Sequence, residues 1–110
     1  METTFERLLG FRDSTVQCNS VTFTRHAIER MFSRAIDVTE VTELIAKGDV
    51  IADYPDDTPY PSALLLGFVG HRPVHVVVAK DERTSDCYVV TVYVPEAETW
   101  NDDFRTRRKQ

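Results

Sequence analysis

Residues 63–79 read ALLLGFVGHRPVHVVVA, and this stretch decides the fold. Two apolar runs, 63–69 and 73–79, flank Gly70-His71-Arg72, a link that leaves room only for a tight reversal. A parallel crossover needs about a dozen residues or more, so the two runs are predicted to pair as an antiparallel hairpin. Residues 50–54 upstream and 87–94 downstream have the same high apolar density, and the polar turn 81–86 ties the last run to the hairpin. Four strands in an antiparallel meander follow.

Before residue 49 the apolar period changes. Ala27, Ile28, Met31, Phe32 and Ala35 recur at three-and-four spacing behind Thr24, which predicts a helix over 25–35 with Thr24 as its N-cap. Asp37 with Glu40 has capping-box spacing ahead of Val38, Val41, Leu44 and Ile45, and Gly48 after Lys47 predicts a left-handed helix stop. Residues 15–23 alternate apolar with polar and predict a short extended lead-in. Thr3 and Glu6 around Phe5, Leu8 and Leu9 predict a brief helix over 4–9. The expected fold is α+β, with N-terminal helices packed on one face of a mainly antiparallel four-stranded sheet. At 110 residues the chain fits one domain, with 1–19 as an N-terminal extension and 96–110 as a polar tail pinned by Trp100 and Phe104.

The first twenty residues hold Glu2, Glu6, Arg7 and Arg12, so neither a signal peptide nor a membrane span is expected and the location is read as cytoplasmic. Cys18 and Cys87 lack zinc-like spacing and are read as buried or inert thiols. Net charge is -5, against coating of nucleic acid or acidic membrane by bulk attraction. Its distribution is uneven. Residues 37–60 carry one basic against seven acidic groups, as do 81–103, whereas 61–80 carry two basic groups and 104–110 four, with no acidic group in either. A local basic patch therefore depends on folding.

His26, Arg30 and Arg34 fall at i, i+4 and i+8, a cationic ridge suited to phosphate, since guanidinium binds phosphate bidentately and imidazole trades protons near neutrality. The same spacing also fits a solvated helix face. His75, Thr91 and Tyr93 alternate away from Val74, Val76 and Val78 and from Val90, Val92 and Val94, and are expected on the open face of the sheet, as a site or as a satisfied structural cluster. The rigid segment from Tyr54 to Pro61, with Tyr60, could line a cleft or simply be a stiff turn. No glycine-rich phosphate loop, metal-ligand pair or nucleophile elbow is present, so no metal or cofactor is expected.

The segment from Phe23 to Met31 with Arg34 and Ile36, the segment from Tyr54 to Ser62, Pro73-Val-His75 and Thr91-Val-Tyr93-Val-Pro95 resemble the bacterial and archaeal domain-of-unknown-function family 4258. The resemblance spans about residues 20 to 108. It implies a fold similar to the RelE, ParE and BrnT toxins, and neighbouring zinc-finger or helix-turn-helix antitoxins as partners, with a homodimer left open. The implied activity is metal-independent RNA cleavage by 2′-hydroxyl attack. His75 or His26 would be base and acid, Tyr93 a proton donor beside Thr91, Arg30 and Arg34 the phosphate ligands, and Tyr60, Arg105, Arg107 and Arg108 further RNA contacts. The alternative is a non-catalytic protein-binding module with structural histidines.

Overall fold

A computed structural model describes residues 16–108; the helix expected over 4–9 lies outside the described residues. Strand β1 (Ser20–Phe23) leads into helix α1 (Arg25–Ser33) and helix α2 (Val38–Lys47), followed by β2 (Asp49–Tyr54), β3 (Ser62–Val69), β4 (Arg72–Asp81) and β5 (Asp86–Tyr93). The class is α+β, as the periodicities require.

Thr24 caps α1 by accepting the Ala27 N–H at 3.1 Å. Its hydroxyl also donates to the Val90 carbonyl at 3.1 Å, so one residue starts the helix and fastens it to β5. The helix ends two residues earlier than its apolar stripe suggests. Ala35 turns left-handed at φ 57°, the Ala35 N–H donates to the Phe32 carbonyl, and the Ile36 N–H donates to that of Met31 at 2.9 Å. This is a Schellman closure with alanine where glycine is usual, and that is why composition alone missed it. Asp37 and Glu40 form both halves of the capping box that opens α2. Gly48 is not the left-handed stop expected: its φ is -74°. Its smallness is needed for space, because a Cβ there would lie 2.6 Å from the Leu44 carbonyl oxygen and 2.9 Å from that of Leu66. Gly70, at φ 64°, supplies the left-handed residue of the β3–β4 turn.

The sheet order is β1-β5-β4-β3-β2. Strands β2 to β5 form the expected antiparallel meander. The sheet nevertheless has five strands and is mixed, because β1 pairs parallel to β5, from Ser20 opposite Asp86 to Phe23 opposite Val89. Alternation announces an extended segment here, but a partner more than sixty residues away leaves no local sign of the pairing. The same pairing corrects the reading of the cysteines: Cys18 and Cys87 form a disulfide, with Cα atoms 5.6 Å apart and 69 residues between them in sequence. Asn19 donates to the Ser85 carbonyl at 2.7 Å, and Val16 is buried, so residues 16–19 belong to the folded body rather than to an extension.

One sheet face carries Ala63, Leu65, Val74, Val76, Val78, Val89 and Val92 into a core shared with Ala27, Met31, Val41, Leu44 and Ile45 of the helices. The expected inward set of Val90, Val92 and Val94 is off by one position at its start. A bulge sets Thr91 opposite Val77 but Val89 opposite Val78, and the extra residue, Val90, stays 39% exposed. On the other face, register aligns Asp49, Leu66, His75 and Tyr93 in one row across four strands. This face was expected to be open. Instead residues 96–108 lie over it: Trp100 is buried, a bridge joins Trp100 to Arg107, and Arg105 pairs with Asp49.

Candidate functional site

Strand β1 stops opposite Val89 while β5 continues to Tyr93, and α1 takes over beside this last stretch. The helix flank turned to β5 carries the ridge of His26, Arg30 and Arg34. Nε2 of His26 lies 2.9 Å from the Thr91 hydroxyl oxygen, which fixes the first member of the ridge against the strand. One and two turns further on, Arg30 and Arg34 line a cavity of about 270 Å³ with Tyr93, Thr99, Glu96 and Arg107.

The cleft gathers three guanidinium groups against one carboxylate in a chain whose net charge is -5. Among the described residues no carboxylate forms an ion pair with Arg30, Arg34 or Arg107, whereas Lys47, Arg83, Arg105 and Arg108 each have an acidic partner. Arg107 is held instead over the Trp100 ring, 5.2 Å from its centroid, a cation–π contact that leaves its N–H donors uncommitted to an acid. An anion entering here meets donors that need not first be released from internal partners.

Behind Tyr93 lies His75, with 0% of its surface exposed. Its ring is edge-on to Trp100, with centroids 4.5 Å apart, and to Tyr93, at 5.1 Å. Nε2 lies 2.8 Å from the Phe104 carbonyl oxygen, which can only accept, so Nε2 carries a proton. Burial holds the His75 pKa below the ordinary histidine value, partly offset by that carbonyl, and the ring is neutral. Nδ1 is then bare and accepts the Tyr93 hydroxyl at 3.1 Å. Burial, and secondarily Tyr54, pushes the Tyr93 phenol up while Arg107 pulls it down, and the net direction is upward, so Tyr93 keeps its proton at neutral pH.

Of the residues singled out from sequence, Arg30, Arg34 and Tyr93 meet at the cleft, His75 stands directly behind Tyr93, and the His26–Thr91 pair sits one helical turn from Arg30. His75 cannot touch a substrate itself, because the tail seals it; of these two histidines His26 is the exposed one. Three expected RNA contacts lie elsewhere. Tyr60 stacks on Tyr88 at 5.5 Å, Arg105 pairs with Asp49, and Arg108 is bound to the Ala97 carbonyl and Asp102. Sequence reasoning grouped Arg107 with the other tail arginines and missed Thr99 and Glu96 altogether. The one available signal was Trp100, a lone tryptophan in a polar segment, which marks where the tail turns inward.

The fold and the cleft define an α+β domain with an arginine-lined cleft, built where a helix flanks the free end of a sheet strand. The chain belongs to the family described as Domain of unknown function (DUF4258), whose model matches residues 23–94. No curated protein and no solved structure matches it. The matched segment contains His26, Arg30, Arg34, His75, Thr91 and Tyr93 and ends before Thr99, Trp100 and Arg107.

Proposed function

We propose that the cleft binds a phosphodiester of RNA and that the protein is a toxin-like, metal-independent endoribonuclease, similar to the RelE, ParE and BrnT group, acting in the cytoplasm. The observation that carries this reading is that Arg30, Arg34 and Arg107, none of them ion-paired among the described residues, line one cleft together with Tyr93, whose hydroxyl keeps its proton. Cleavage by 2′-hydroxyl attack passes through a phosphorane whose extra negative charge needs cationic donors already in place. The three guanidiniums supply them. His26, exposed and oriented by Thr91, is the group that can protonate the departing 5′-oxygen.

A cognate antitoxin of zinc-finger or helix-turn-helix type would restrain such an activity. A second reading, a non-catalytic docking module, is favoured by Ile28 and Phe32, spaced one turn apart on α1 and 42% and 88% exposed. The two readings separate in one experiment. Purified protein is incubated with single-stranded RNA in excess chelator, beside an R30A/R34A variant. The nuclease reading expects fragments ending in 2′,3′-cyclic phosphate from the wild type and none from the variant; intact RNA in both lanes leaves only the docking module.

A further inference from the structure

We infer that His75 and Tyr93 act as a two-proton relay, in which the buried imidazole is the base for the 2′-hydroxyl although it never contacts RNA. The inference rests on the RNA-cleaving reading and names the group that reading lacks, a base. It stands on connectivity. The Phe104 carbonyl commits Nε2 of His75 to donating, so the Tyr93 hydroxyl must point its hydrogen away from the cleft, toward Nδ1. The oxygen of Tyr93 therefore presents lone pairs, and not its proton, to whatever enters between Arg30, Arg34 and Arg107. Lone pairs repel a phosphate oxygen. They suit a hydroxyl donor lying beside a phosphate, which in RNA is the ribose 2′-hydroxyl and in DNA is missing.

The step balances without a further reagent. The 2′-hydroxyl proton passes to the Tyr93 oxygen while the Tyr93 proton passes to Nδ1 of His75. The 2′-oxygen bonds to phosphorus, the bond from phosphorus to the 5′-oxygen breaks, and the leaving oxygen takes a proton from His26. The imidazolium formed at His75 is supported by the Phe104 carbonyl on Nε2. Around it, β3 presents the apolar Leu66, β5 presents Tyr93, and the tail presents Trp100 with Arg107 beyond the indole; the nearest acid in its row, Asp49, is engaged by Arg105. With no carboxylate against it among the described residues, His75 is a base that is neutral, and ready, at physiological pH.

The test uses Y93F, which keeps the ring, and H75Q, whose amide can still donate to the Phe104 carbonyl. Each should lower kcat for RNA cleavage by about 10²–10⁴-fold and leave the affinity for an uncleavable 2′-deoxy analogue near the wild-type value. In the wild type, kcat should fall on the acid side as His75 is protonated, and this limb should vanish in H75Q. A proton inventory in mixed H₂O and D₂O should curve, reporting more than one proton in flight. If the wild type cleaves and Y93F or H75Q cleaves equally well, or the acid limb survives in H75Q, the relay is wrong and the nuclease reading stands. If the wild type leaves RNA intact, both fall.

Discussion

The Arg72 guanidinium donates to the Arg34 carbonyl oxygen at 2.7 Å, so the first residue of β4 closes the C-terminal end of α1. The charge suits the negative end of the helix, and the contact sets where the Arg34 side chain begins. Replacing Arg72 by alanine should lower stability by about 1 kcal/mol in urea titration and weaken anion binding at Arg34 in parallel. An unchanged urea midpoint would show that the contact carries no weight.

The left-handed Ala35 beside it makes the opposite prediction. At φ 57° a Cβ is crowded and glycine is not. A35G should therefore stabilise the protein by up to about 1 kcal/mol, one of the few sites where a new glycine helps. Loss of stability in A35G would mean that the Schellman turn is misplaced.

Stability should fall in mild acid because of His75. Its folded pKa is lowered by burial, so below about 6.5, the unfolded value, the unfolded chain takes up a proton that the folded one refuses. The contribution is complete above that pH and is lost as pH falls toward the folded pKa. Thermal melts of wild type and H75Q between pH 5 and 8, read as a difference, should diverge in that direction; parallel curves would place His75 in contact with water.

Protein purified without reductant and then denatured should resist alkylation at Cys18 and Cys87. Reduction should cost up to about 4 kcal/mol, from the chain-entropy value for a loop of this length, because the bond ties the segment ahead of β1 to β5 across 69 residues of sequence. Alkylation of both thiols in the unreduced, unfolded chain would remove the bond from the fold.

Affinity for uncleavable RNA should drop as salt rises, and R30A, R34A and R107A should each reduce the slope of log K against log salt by about 0.7, the value for one phosphate contact on a single strand. R105A should not, since Arg105 is engaged by Asp49 away from the cleft. Equal slopes for all four variants would disperse the proposed site.

How much of this was legible in the sequence follows from how far each signal reaches. The caps at Thr24 and Asp37 and the strands of the meander depend on neighbours within a few residues, and they were readable. The pairing of β1 with β5 and the Cys18–Cys87 bond join segments more than sixty residues apart, and nothing local announces either partner. For the site, alternation correctly set His75 and Tyr93 on one face, but alternation cannot say what covers that face. The cover comes from irregular backbone after β5, where Phe104 offers a carbonyl and Trp100 a ring, and neither has a period to detect.

That covering segment has a practical consequence for anyone dividing the chain. A fragment trimmed to residues 23–94 would retain β2 to β5, with only Phe23 left of β1, yet strip the lid from Leu66 and His75 and delete one of the three cleft arginines. Homologues that agree through Tyr93 and diverge afterward would thus share a chassis while presenting different mouths to their ligands.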